Sequence, residues 1–214
     1  MHIHAILGAI VFGTGLLQIL LKKEGVRHRI IGQVYLYGWL LILISGAYLG
    51  GLLITIVGIF GFYYALTGAR IGRLKNKRFT LFEKTVFSLG GFVSVVMLYS
   101  SVVLFMKDEN SFSTIFAVFG MIFLFTTISD IFKYILHKPF KKQVYGKFDW
   151  YFEYFMRMSI SFIAVVTAFT SIQNVFRNNT LNFLMPTVIG VIFIKLAIKS
   201  YKKNYCNKAE SLNE

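Results

Sequence analysis

The chain has 214 residues, 56% of them hydrophobic, with a mean hydropathy of +0.65 and a formal net charge of +14. That apolarity argues against a water-soluble domain, and the apolar runs are too long and too little alternating for barrel strands, which cross a bilayer in about 9–11 residues. The charge does not point to nucleic acid: the bases lie in short loops, and no basic stretch is long enough to fold into a reading module.

A helix needs roughly 20 apolar residues to cross the hydrocarbon core. Seven segments reach about that length. They run from about His4 to Leu21, Ile30 to Tyr48, Leu52 to Gly68, Thr85 to Met106, Phe112 to Leu136, Phe152 to Phe176 and Asn182 to Tyr201. Gly50 and Gly51 are the only turn residues between the second and third spans, so that hairpin must be tight. The expected architecture is all-α: a single seven-helix transmembrane domain over residues 1–201, followed by a short basic-to-polar tail over 202–214.

The loops alternate in charge. Lys22, Lys23, Arg27 and Arg29 follow span 1. Arg70, Arg73, Lys75, Lys77, Arg78 and Lys84 follow span 3. Lys138, Lys141, Lys142 and Lys147 follow span 5, and Lys202, Lys203 and Lys208 follow span 7. The intervening loops hold only Lys107, beside Asp108 and Glu109, and Arg177. The positive-inside rule then puts the N-terminus outside and the C-terminus in the cytoplasm, with the basic loops against anionic lipid headgroups. The start of the chain does not read as a cleavable signal peptide, because Lys22 and Lys23 follow the apolar run where small cleavage-site residues would stand. Cys206 is the single cysteine, so no disulfide forms within the chain.

Within the spans, polar residues fall on faces. His4, Gly8, Val11, Gly15 and Gln18 share one stripe of span 1, a helix-packing seam or a polar lining. Glu153 and Arg157 are spaced i,i+4 on span 6, and Asp130 precedes Lys133 by three residues on span 5. An ionisable group inside a span normally faces the protein and has a partner. Two readings follow: local pairing at the interface, or a buried Asp130–Arg157 cluster, with Glu153, between antiparallel spans 5 and 6. Lys195 in span 7 suggests retinal, but span 3 has no carboxylate to act as counter-ion, and snorkelling suffices. Pro186 reads as a helix-start residue.

The four histidines are His2, His4, His28 and His137. A b-type haem needs two axial ligands on facing helices. Only His28 and His137 fall on one side with that possibility, and both sit in interfacial contexts, so haem is disfavoured and no cofactor is assigned. His2 and His4 alone are too few for a structural zinc site.

Several phrases, HIHAILGAIVFGTGLLQ, VRHRIIGQVYLYGWLLILISGAYLGG, SISFIAVVTAF and LMPTVIG, together resemble an uncharacterised bacterial multi-pass inner-membrane family known only as a domain of unknown function. Its pattern of an early His and a His-Arg-x-x-Gly-x-x-Tyr patch is matched here by His28, Arg29, Gly32 and Tyr35. The resemblance implies a bacterial inner membrane and no particular activity. It also implies a histidine where this chain has Tyr154, which weakens a haem or metal role. Gly68 and Arg70, in TGAR, and Asp149-Trp150 resemble the family as well. Read from the residues, Gly68 is a C-cap, Arg70 an anchor and Trp150 an interfacial aromatic.

The expected function is the binding or transport of a small or lipophilic ligand among the helices. His28, Arg29, Tyr35, Asp130, Glu153 and Arg157 are the lining candidates, and His4, Gly8, Gly15 and Gln18 form the packing stripe. The alternatives are an accessory subunit bound to another membrane protein and a haem-binding redox protein. No catalytic motif is present, and nucleic acid is not an expected partner.

Overall fold

The computed structural model describes residues 2–21, 25–75, 79–136 and 149–210, the side chains of 20, 51–53 and 202–210 excepted. Helix α1 is His2–Leu20, α2 Val26–Leu74, α3 Leu81–Met106, α4 Asn110–Asp130, α5 Asp149–Ile172 and α6 Asn179–Glu210. Seven segments of these helices are long and apolar enough to cross a membrane, because α2 supplies two: Val26–Gly50 and Ile54–Leu74.

Helical backbone runs through the whole of α2, yet α2 is not straight. A side chain added at Gly61 would strike the Trp39 ring, and one at Gly58 would meet Leu43 at 3.0 Å. Those residues would lie tens of ångströms apart on a straight helix rising 1.5 Å per residue. The two limbs therefore fold back on each other about Gly50, where the tight turn is expected from sequence. At Gly50 itself a Cβ would press on Ile54 from 2.7 Å. The second limb runs six residues beyond the expected end at Gly68, so Gly68 is not a C-cap. It lies within the helix, where an added Cβ would stand 3.0 Å from Met158 and 3.1 Å from Arg157 of α5, so the missing side chain permits their close approach.

The second limb is the most buried span at 50%, against 17% for α1, the first limb and α6. It packs against α5 and α3, and α5 also meets α1 and α6. One core cluster is aromatic: Phe60, Tyr63 and Tyr64 of the second limb interlock with Phe87 of α3 and with Phe116, Phe119 and Phe123 of α4. Phe60 and Phe123 meet edge to face, at 5.5 Å and 88°. The second cluster joins Val11, Tyr35, Trp39, Ala65 and Val165. Large apolar side chains such as Phe92, Tyr99 and Leu196 remain exposed around the bundle, on helices long and apolar enough to cross a membrane.

Two irregularities have local causes. After α4 the ladder widens into a π-helical turn, Ile131–Ile135, closed by the Leu136 N–H on the Ile131 carbonyl at 3.0 Å. In α6, Pro186 is the eighth residue and not in the first turn, because Asn178 caps the helix earlier than expected, accepting the Leu181 N–H at 3.1 Å. A proline there frees the carbonyl four residues back, at Asn182. The Thr170 hydroxyl of α5 donates to that carbonyl at 2.7 Å. The Asn182 side chain, fully buried, donates to Asn174 at 2.8 Å and accepts the Phe176 N–H at 2.9 Å, tying the α5–α6 turn.

Candidate functional site

Helix α5 carries polar side chains on two neighbouring faces, and each face builds a different site. Glu153 and Arg157 occupy one. Tyr154 and Met158, each one residue further on and so about 100° around the helix, occupy the other.

The first face is closed. The Arg157 guanidinium, 1% exposed, grips the Asp130 carboxylate, 2% exposed, through both terminal nitrogens. One of those nitrogens also donates to Thr67 Oγ1 at 3.0 Å. The Tyr63 hydroxyl donates to Asp130 Oδ2 at 2.6 Å. Glu153 lies 3.6 Å from Arg157 and accepts Lys133 Nζ at 2.6 Å, together with the Tyr134 hydroxyl. Two acids and two bases leave this network neutral. The π-helical turn presents Lys133 and Tyr134 to one carboxylate oxygen. Tyr134 is held from behind by Phe79 and Phe87, with ring centroids at 4.2 and 5.3 Å. The backbones of α4 and α5 are not among the closely packed pairs. Long side chains span the gap, and the second limb of α2 contributes Tyr63 and Thr67 to it.

The second face is open. Between the two limbs of α2, the end of α1 and the start of α5 lies a cleft of about 810 Å³. Its walls include Gln18, His28, Arg29, Gly32, Tyr37, Ala69, Arg73, Trp150, Tyr154 and Met158. His28 Nε2 meets the Tyr154 hydroxyl at 2.9 Å, which fixes the inner wall. Gln18 donates weakly to the His28 carbonyl at 3.4 Å, and its amide fills the space above Gly32. A smaller void of about 40 Å³ adjoins the cleft and is shared by Gln18, His28, Tyr35 and Tyr154.

Four cations line the cleft, Arg29, Arg70, Arg73 and Lys75, and no carboxylate does among the described residues. Arg70 is neutralised by Glu83, which also accepts the Thr80 N–H at 2.7 Å and so caps α3. Lys75 lies 5.1 Å over the Trp150 ring. Arg29 and Arg73 are exposed at the mouth and have no acidic partner among the described residues.

The residues singled out from sequence thus divide. His28 and Arg29 line the cleft. Tyr35 turns inward, 1% exposed, with its hydroxyl 2.9 Å from Ser161, and borders only the small void. Asp130, Glu153 and Arg157 line neither cavity; the α5 face that carries Glu153 and Arg157 points to the second limb and to the end of α4, where Asp130 stands. Gln18 touches both cavities and Gly15 borders the small void, close against Phe162 and Tyr35, whereas Gly8 faces Ile42. His4 bonds to Ser45 at 2.8 Å, at the far end of the first limb from His28, so these two cannot share a ligand. His137 and the loop lysines 22, 23, 77, 138, 141, 142 and 147 lie outside the described residues, as does the Cys206 side chain. Tyr63, Thr67, Tyr134, Ala69 and Arg73 were not foreseen as site residues. The i,i+4 spacing of Tyr63 and Thr67 on span 3 was the available signal for that pair.

Tyr154, where the family resemblance implies a histidine, is the hydroxyl partner of His28, and their direct bond leaves no room for a metal between them. Among the described residues no group of three His, Cys, Asp or Glu side chains converges on one point. No family model, curated protein or solved structure matches this chain.

Proposed function

We propose that this chain is a polytopic membrane protein that binds a small or lipophilic ligand in the cleft between the α2 limbs and α5. The observation that carries the reading is the cleft itself: about 810 Å³ bounded by four helical segments and floored by Gly32, Ala69 and Gly72. A cavity of that size is in the range of drug-sized ligand sites. Small residues there leave the volume that larger side chains would fill.

The loop charges support an orientation with the cleft mouth in the cytoplasm, the N-terminus outside and the C-terminus inside. The family resemblance supports a bacterial inner membrane. Cys206 reports the orientation, being the single thiol. In intact cells it should resist a membrane-impermeant maleimide and react after permeabilisation; labelling in intact cells would reverse the assignment.

The ligand reading is tested by native mass spectrometry of protein released from mild detergent after incubation with total membrane lipid extract. Wild type should retain a discrete added mass, and Ala69→Phe, which fills the cleft without touching the ion network, should lose it. Equal retention by both proteins would place binding elsewhere.

A further inference from the structure

We infer that the ligand of this cleft is a phosphate-bearing anionic lipid, held headgroup-down at Arg29 and Arg73. The inference rests on the ligand-binding reading above and names the class of ligand.

Charge is the first argument. The buried and half-buried acids near this end each have a basic partner: Asp130 and Glu153 in Arg157 and Lys133, and Glu83 in Arg70. The cleft instead gathers cations and no acid among its described lining residues. Arg29 and Arg73 stand on opposite limbs of α2 and both line its mouth, without an acid partner among the described residues. Guanidinium groups suit phosphate oxygens because their planar donors can bond two at once. Lys75 adds a third positive charge at the same rim.

Shape is the second argument. Arg29 and Tyr37 are eight residues apart on the first limb, so the cleft wall rises about 12 Å along that helix at 1.5 Å per residue. The lining turns from cationic at Arg29 to apolar at Leu36, Ala69 and Met158, and ends at Tyr37, which is 65% exposed on the side of the bundle. A soluble anion would need only the mouth. A lipid uses both parts: phosphate between the arginines, chain along the limb groove and out past Tyr37 into hydrocarbon.

The test is native mass spectrometry in neutral detergent, with phosphatidylglycerol, phosphatidylcholine and inorganic phosphate as separate probes. Wild type should retain phosphatidylglycerol in preference to phosphatidylcholine. Arg29→Gln and Arg73→Gln should each weaken that retention about fivefold, as expected for one basic residue near a headgroup. Both arginines are exposed, so these variants keep the fold. Equal retention of the two lipids, with both still lost in Ala69→Phe, would overturn the anionic assignment while leaving a lipid-binding cleft. Displacement of phosphatidylglycerol by millimolar phosphate would overturn the lipid in favour of a soluble phosphate compound. Retention of neither lipid by wild type would overturn this inference, and a mass retained only from whole extract would show that the cleft binds something else.

Discussion

One helix, α5, separates a closed polar site from an open one. On the closed side Asp130, Arg157, Glu153 and Lys133 balance their charges among themselves, and Tyr63, Tyr134 and Thr67 take up most of the remaining hydrogen bonds. On the open side Arg29 and Arg73 face a cleft with no carboxylate among its described lining residues. The difference teaches that a polar residue inside a helical bundle is not by itself a sign of a ligand site. A buried ion pair with good geometry holds helices together, and removing one member leaves an uncompensated charge. A cation beside an empty, solvent-reachable volume can instead engage a partner from outside the chain.

The largest break in this comparison should come from Arg157→Met, which leaves Asp130 buried without its counter-charge. A loss of about 3–5 kcal/mol is expected, measured as unfolding in detergent. Adding Asp130→Leu should recover much of it, since replacing both partners by apolar groups is far cheaper than removing one. No recovery in the double variant would mean that the network does more than pair charges.

Gly68 lies where the second limb touches the residues of both faces, Arg157 and Met158. Gly68→Leu should force the limb from α5 and cost about 1–3 kcal/mol by overpacking, with ligand retention falling as well. Loss of stability with retention unchanged would separate the two sites.

Tyr154→Phe removes the hydroxyl that meets His28. The expected cost is about 0.5–1.5 kcal/mol, and the cleft wall should loosen without collapsing. Accessibility of His28 to diethyl pyrocarbonate should rise in this variant; an unchanged rate would mean that the bond does not hold the wall.

The smallest effect on stability belongs to Arg29→Gln and Arg73→Gln. Each should lie within about 0.5 kcal/mol of wild type, as for exposed residues without partners. A larger loss would show that these arginines serve the fold and would remove the contrast with Arg157.

The sequence by itself determined the helices, the tight reversal at Gly50 and the i,i+4 spacing of Glu153 and Arg157. Hydrophobic length and i,i+4 spacing are local properties of the chain, and a bilayer or a helix reads them directly. That is why the seven segments and the Glu153–Arg157 spacing were legible, and why Asp130 invited a partner. What only the tertiary structure decided is which way each polar face points. Tyr35 shares a face with His28 in sequence but turns to Ser161, because α1 and α5 close over it at Gly15. Arg73 looked like a loop anchor until the second limb ran on to Leu74 and brought it opposite Arg29. The cleft lies between separate helical segments, with Arg29 and Arg73 on facing limbs, and no periodicity within a single helix records the gap that packing leaves between two of them.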